Sequence, residues 1–98
     1  MFQNDRYLTQ GVDATILPEV QAAMWVAIEL MPEPKDYLQV FELEPLGEFV
    51  QRITHTQEQP DYSCELYVPL PHDTDAVTAK VYVIDDGDHS TMCLPEER

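Results

Sequence analysis

The sequence predicts an α+β fold: one buried helix packed on a twisted, mainly antiparallel sheet of about five strands. Three observations predict it. One apolar stripe at helical spacing occupies Pro18 to Met31. Four runs rich in β-formers and a fifth short one follow it in series. Short turn segments, rather than long linkers, separate those runs, as expected for an antiparallel sheet with a helix across one face.

Residues 1–15 are polar and mixed, with a short strand candidate at Tyr7-Leu8-Thr9 and Gly11 to turn the chain after it. Pro18 is tolerated at a first helical position, and Glu19 suits the positive end of the helix dipole. Val20, Met24, Ala27/Ile28 and Met31 make one apolar face, which Ala22, Trp25 and Val26 widen, so the helix is expected to be heavily buried. Pro32 and Pro34 end it. The strand runs are Tyr37 to Leu43, Phe49 to Thr56, Tyr62 to Val68, Val77 to Ile84 and Ser90 to Leu94. In the third, Tyr62, Cys64, Leu66 and Val68 alternate inward; in the fourth, Val77, Ala79, Val81 and Val83 do. The expected turns are Pro45 to Glu48, Gln57 to Asp61 and an Asp-Gly hairpin at Asp86-Gly87. Two prolines are expected to keep Pro69 to Asp75 out of any sheet.

Ninety-eight residues allow one domain. Nineteen acidic and five basic side chains give a net charge of −14. Affinity for DNA or RNA comes from cations on phosphates, so direct nucleic-acid binding is disfavoured, and so is docking on an anionic membrane. The favoured partner is a basic protein surface. No apolar leader or membrane span is apparent, which gives a cytoplasmic expectation. Cys64 and Cys93 read as two unpaired core or near-core thiols rather than a disulfide framework.

Arg6 to Val12 (RYLTQGV), Trp25, Asp36 to Leu43 (DYLQVFEL), His55 to Pro60 (HTQEQP) and Thr78 to Met92 (TAKVYVIDDGDHSTM) resemble a family of small Firmicutes proteins described as staphylococcal proteins of unknown function. The resemblance implies a single-domain, soluble, bacterial or phage-borne protein. It brings no activity, ligand or catalytic residue.

Chemistry-bearing clusters are few. Asp85, Asp86, Asp88 and His89 place three carboxylates and an imidazole within five residues, enough to invite a divalent cation. The EF-hand spacing is absent, and a structural turn explains the same residues. His55 with Glu58 resembles an acid–base pair, but that spacing points the two to opposite faces of a strand; His55 is expected to be solvent-facing or cross-strand. His72-Asp73 is weaker. Cys64, Cys93 or Ser90 with His89 or His55 lacks any nucleophile elbow. Three glycines cannot build a phosphate loop, and no cofactor is expected.

The acidic residues as a set are the remaining feature: Glu42, Glu44, Glu48, Glu58, Asp61, Glu65, Asp73, Asp75, Asp85, Asp86 and Asp88 are the candidates for one partner-binding surface. Duplex DNA carries one charge per ~1.7 Å, so fourteen charges match ~24 Å of duplex. The expectation is a non-catalytic acidic protein that binds a basic surface, including that of a nucleic-acid-handling protein, as a mimic of the anti-restriction or anti-CRISPR kind. The alternatives are a metal protein or enzyme using the Asp85–His89 loop, and a small subunit that self-associates through edge strands, covering Tyr67, Tyr82 and Ile84.

Overall fold

Alternation builds the sheet. In β3 (Val50–Gln57), Gln51, Ile53, His55 and Gln57 are buried, while the residues between them are half-exposed. Its neighbours β2 (Leu38–Pro45) and β4 (Tyr62–Pro69) alternate in step with it, so one face of the sheet meets the core and the other stays open. The computed structural model describes residues 1–98. Around these strands the chain adds β1 (Asp5–Leu8), α1 (Gln10–Thr15), α2 (Pro18–Leu30), β5 (Ala79–Asp85), β6 (His89–Cys93) and a 3-10 turn over Pro95–Glu97.

The sheet has six strands in the order β1-β6-β5-β2-β3-β4. Five of them pair antiparallel, in keeping with the mainly antiparallel sheet expected, but the sheet has one strand more than the five counted from the sequence. The sixth, β1, pairs parallel with β6, Arg6 beside Ser90 and Leu8 beside Met92, so the sheet is mixed. A parallel pair has no hairpin between its strands and leaves no local turn signal. β5 returns beside β2 rather than β4. The connection is pinned by Gln51, whose side-chain amide donates to Val77 O and accepts from Val77 N–H, both at 2.9 Å.

Phe2, Val12, Ile16, Val20, Met24 and Ile28 come from the N-terminal segment and the helices. They pack on Phe41, Leu43, Ile53, Val81, Val83 and Met92 of the sheet. α2 is less buried than its composition suggests: Val20, Met24, Ala27 and Ile28 are inside, but Ala22, Val26 and Leu30 are exposed and Trp25 is half-buried. A single helix lying on one sheet face buries only one stripe. Gly11 does not turn the chain; it lies within α1, whose first turn Thr9 caps through the Val12 N–H. A Cβ at Gly11 would stand 2.7 Å from the Glu97 carboxylate, which instead accepts the Gly11 N–H at 3.0 Å.

Three further expectations change. Pro69 ends β4 inside the sheet, because at an edge strand its missing N–H faces outward. Phe49 lies outside β3 with φ +64° and packs its ring edge on His72. The β5–β6 hairpin centres on Gly87-Asp88, not Asp86-Gly87: Asp86 N–H donates to His89 O at 3.1 Å, and of the two central residues only Gly87 has positive φ, +103°. That matches a glycine-first hairpin turn.

Candidate functional site

His55 and three glutamines form the polar layer beneath the candidate surface. Gln39, Gln51, His55 and Gln57 are all buried. Gln57 Oε1 accepts from the Asp36 backbone N–H at 2.8 Å and from Gln39 Nε2 at 2.7 Å. Gln57 Nε2 donates to Pro34 O and Pro60 O. Gln39 Nε2 also donates to Asp36 O, so Gln39 Oε1 is left to accept, and His55 Nε2–H supplies the bond at 2.7 Å. This fixes the tautomer, with Nδ1 as the bare nitrogen, buried and without a partner. The ring stacks on Phe41, its cross-strand neighbour, 4.4 Å between centroids. His55 is therefore a cross-strand core histidine, and the solvent-facing option falls. Burial pushes its pKa down to about 4, so it is neutral at pH 7.

This layer positions the rim of a hollow on the open face of the sheet. Through Gln57, the segment entering β2 is tied to the β3–β4 turn, and Gln59 N–H adds a bond to the Asp36 carboxylate at 3.2 Å. Above the tie, Asp36, Glu42, Glu58 and Asp61 surround a space of about 510 Å³, with Tyr37 on the rim and Leu38 and Val40 in the floor. Lys80 is the one cation in the lining. It stands opposite Glu42 across the β2–β5 ladder and forms no ion pair.

The eleven candidate carboxylates fall in four places. Glu42, Glu58 and Asp61 meet at the hollow. Glu44 and Glu65 lie on the same open face, where Glu44 pairs with Arg52 at 3.1 Å and Glu65 accepts from the Tyr67 hydroxyl at 2.7 Å. Glu48, Asp73 and Asp75 lie in the loops at the opposite end of β2 and β3, and Glu48 and Asp75 line a common depression there. Asp85, Asp86 and Asp88 occupy the hairpin. Asp36 is the acidic residue the sequence reading missed; its only local signal is a position just ahead of a strand run.

The hairpin carboxylates are largely committed to structure. Asp85 is buried and accepts from Phe2 N–H (2.7 Å), Gly87 N–H (2.8 Å) and the Asn4 amide (3.0 Å). Burial alone would raise its pKa, but those bonds outweigh it and hold the carboxyl below its ordinary value. Asp86 accepts from the His89 N–H and faces His89 Nε2 at 3.1 Å. Ser90 points to the core face and donates to Asn4 Oδ1, away from the ring of His89, which lies against Tyr7. No three His, Cys, Asp or Glu side chains converge as a metal-ligand group. Cys64 is half-buried and Cys93 buried; both are unpaired. No helix is long and apolar enough to cross a membrane.

Apolar side chains share the open face with this charge. Tyr7, Tyr37 and Tyr67 are each about half exposed, and Val40, Tyr82 and Ile84 are partly covered. Three of the five cations are paired, Arg6 with Glu29, Lys35 with Glu33 and Arg52 with Glu44. Only the last of these lies on the open face.

A family model described as "Staphylococcal protein of unknown function" matches residues 5–97, spanning every stretch that carries the resemblance noted from the sequence. Among solved structures the chain is similar to the crystal structure of a protein of unknown function from Enterococcus faecalis. The TM-score is 0.83 at 22% identity, with 97% of this chain and 91% of that chain covered, a likeness of fold. Comparison with curated proteins finds no match.

Proposed function

The chain belongs to the family of staphylococcal proteins of unknown function, so its role must be read from its own surface; we propose that it is a non-catalytic interaction protein that binds a basic protein through the open face of its sheet. The observation that carries this reading is the hollow in which Asp36, Glu42, Glu58 and Asp61 meet a single cation, Lys80. A lysine or arginine of a partner entering it exchanges water for carboxylate oxygens, and Tyr37 offers an aromatic contact at the rim. Tyr67 extends the apolar part of the face. Tyrosines bordered by charge are the composition of an interface that is exposed when free and desolvated when bound.

The net charge of −14 gives the encounter its range. A protein with a cationic groove of the kind that holds nucleic-acid phosphates is the partner class this favours, and inhibition of that partner is the expected consequence. The test is capture of such a protein by the immobilised chain, followed by elution with duplex DNA. Release by DNA, and loss of capture in the Glu42→Gln/Glu58→Gln/Asp61→Asn variant, are expected. Capture by the triple variant as strong as by the unaltered protein would overturn the reading.

A further inference from the structure

We propose that the free edge of β4 takes up an extended basic segment of the partner as an added strand. The inference rests on the reading above and deepens it, by naming the element and the backbone groups that hold the partner.

The register of β3 against β4 decides which backbone groups are free. Leu70 N–H donates to Phe49 O at 2.7 Å, and the ladder continues from there through Gln51 beside Val68, Ile53 beside Leu66, His55 beside Cys64 and Gln57 beside Tyr62. Hydrogen-bonded and non-hydrogen-bonded pairs alternate in an antiparallel ladder. Tyr62, Cys64, Leu66 and Val68 therefore bond to β3, while Ser63, Glu65 and Tyr67 turn their N–H and C=O groups away from the sheet. The other edge of β3 agrees: Leu46 N–H donates to Val50 O, so β3 uses its even-numbered residues for β2 and its odd-numbered ones for β4. None of the three outward N–H groups finds a partner elsewhere in the chain. Pro69 closes the run, having no N–H to offer. The other edge, β1, is half as long, four residues against eight.

Charge selects the occupant. A second copy could use all three outward residues in a symmetric antiparallel pair only by setting Ser63 against Tyr67 and Glu65 against Glu65. Two carboxylates would then face each other with Cβ atoms about 4.5–5.5 Å apart, which is destabilising. Each copy would also bring a net charge of −14. A foreign strand with lysine or arginine opposite Glu65 turns that repulsion into a cross-strand pair. Glu58 and Asp61 lie just before β4, and Asp73 and Asp75 lie in the loop after it, so cations along the added strand meet carboxylates at both ends. Tyr67, half exposed on the same face, covers the apolar stems of such side chains.

Hydrogen exchange of the full chain read by NMR, with and without a capped peptide alternating lysine and threonine at about 50 mM salt, tests the proposal. Exchange of the Ser63, Glu65 and Tyr67 amides should slow by about tenfold or more when the edge is occupied. N-methylation of the peptide amides that face β4 should abolish binding, while methylation of the alternate set should spare it. Glu65→Lys should weaken binding about tenfold, and the milder Glu65→Gln should weaken it less, the side chain being exposed in both cases. Binding that leaves the three amides exchanging freely overturns the edge assignment but leaves the basic-partner reading intact. Failure to bind any basic peptide overturns both. Slow exchange at these amides in the free protein, with the mass of a dimer, assigns the edge to a second copy and overturns the proposal.

Discussion

The buried side chain of Gln57 accepts the backbone N–H of Asp36 at 2.8 Å. It also accepts from Gln39 and donates to Pro34 O and Pro60 O, so one amide ties the entrance of β2 to the β3–β4 turn. Both segments carry carboxylates of the hollow. The geometry of an exposed acidic site is therefore set by a buried neutral group that itself forms part of the hollow's lining.

Replacing that amide should be costly. Gln57→Leu removes the partner of two donors and two acceptors in a buried or half-buried place, and each unpaired group costs about 1–3 kcal/mol. We expect a loss of about 2–4 kcal/mol in urea unfolding, with partial relief from water entering at the rim. A loss below about 0.5 kcal/mol, the range of an ordinary surface change, would show that the tie is not structural.

Stability should fall as pH drops through the range set by His55. Its folded pKa is about 4 against 6.5 for the unperturbed group, so below pH 6.5 the unfolded chain takes up a proton that the folded chain refuses. The loss accumulates down to about pH 4 and totals about 3 kcal/mol. Asp85 and Glu97, whose pKa values are lowered, add their losses only below the ordinary carboxylate range. In His55→Phe the slope between pH 6.5 and 4.5 should flatten, while stability at pH 7 drops by about 1–3 kcal/mol because Gln39 Oε1 loses its donor. Denaturant titrations at stepped pH would read both effects; an unchanged slope would contradict a neutral, buried His55.

At the hairpin, two substitutions separate backbone conformation from hydrogen bonding. Gly87 has φ +103°, and nothing lies within 4 Å of where a Cβ would project, so Gly87→Ala meets open space and its cost is the strained backbone alone, about 1–3 kcal/mol. Asp85→Asn keeps the shape but replaces a charged acceptor of three bonds by an amide with one acceptor oxygen. A loss of about 2–3 kcal/mol is expected, with faster exchange at the Phe2 and Gly87 amides. If neither amide exchanges faster, the carboxylate does not lock the N-terminal segment to the hairpin.

Neutralising the hollow should leave the fold intact. Glu42, Glu58 and Asp61 are exposed and form no ion pair, so the triple neutral variant should melt within a few degrees of the parent. Its affinity for the lysine peptide should drop, and the salt dependence of binding should become shallower as fewer charges take part. Equal salt slopes for both proteins would place the cation contacts elsewhere on the surface.

Much of the fold follows from local periodicity. The period of two in Tyr62 to Val68 and Val77 to Ile84 gives the inward faces correctly, and the proline-bounded apolar stripe gives α2 to within a residue. β1 and α1 are the parts that sequence reading misplaces. Thr9 reads as the end of a strand but caps α1, and Gly11 reads as a breaker until the Glu97 carboxylate is seen filling the space a side chain would need. His55 is ambiguous in a different way. Its polarity allows a solvent-facing or a cross-strand place, and only the hydrogen bonds that join it to Gln39 and Gln39 to Gln57 offset the cost of burying them.

The amino-acid order alone determined the excess of negative charge, the layout of α2 followed by strands and the alternation of β2 to β5, because these depend on composition and on neighbours a few residues apart. Only the tertiary structure decided that β1 lies parallel to β6, that β4 ends the sheet with three outward amides, and that Asp36, Glu42, Glu58 and Asp61 share one hollow. Those outcomes depend on which strands pair and in what register. Such pairing is fixed by packing and buried hydrogen bonds between residues far apart in the chain, and no short window of sequence contains them.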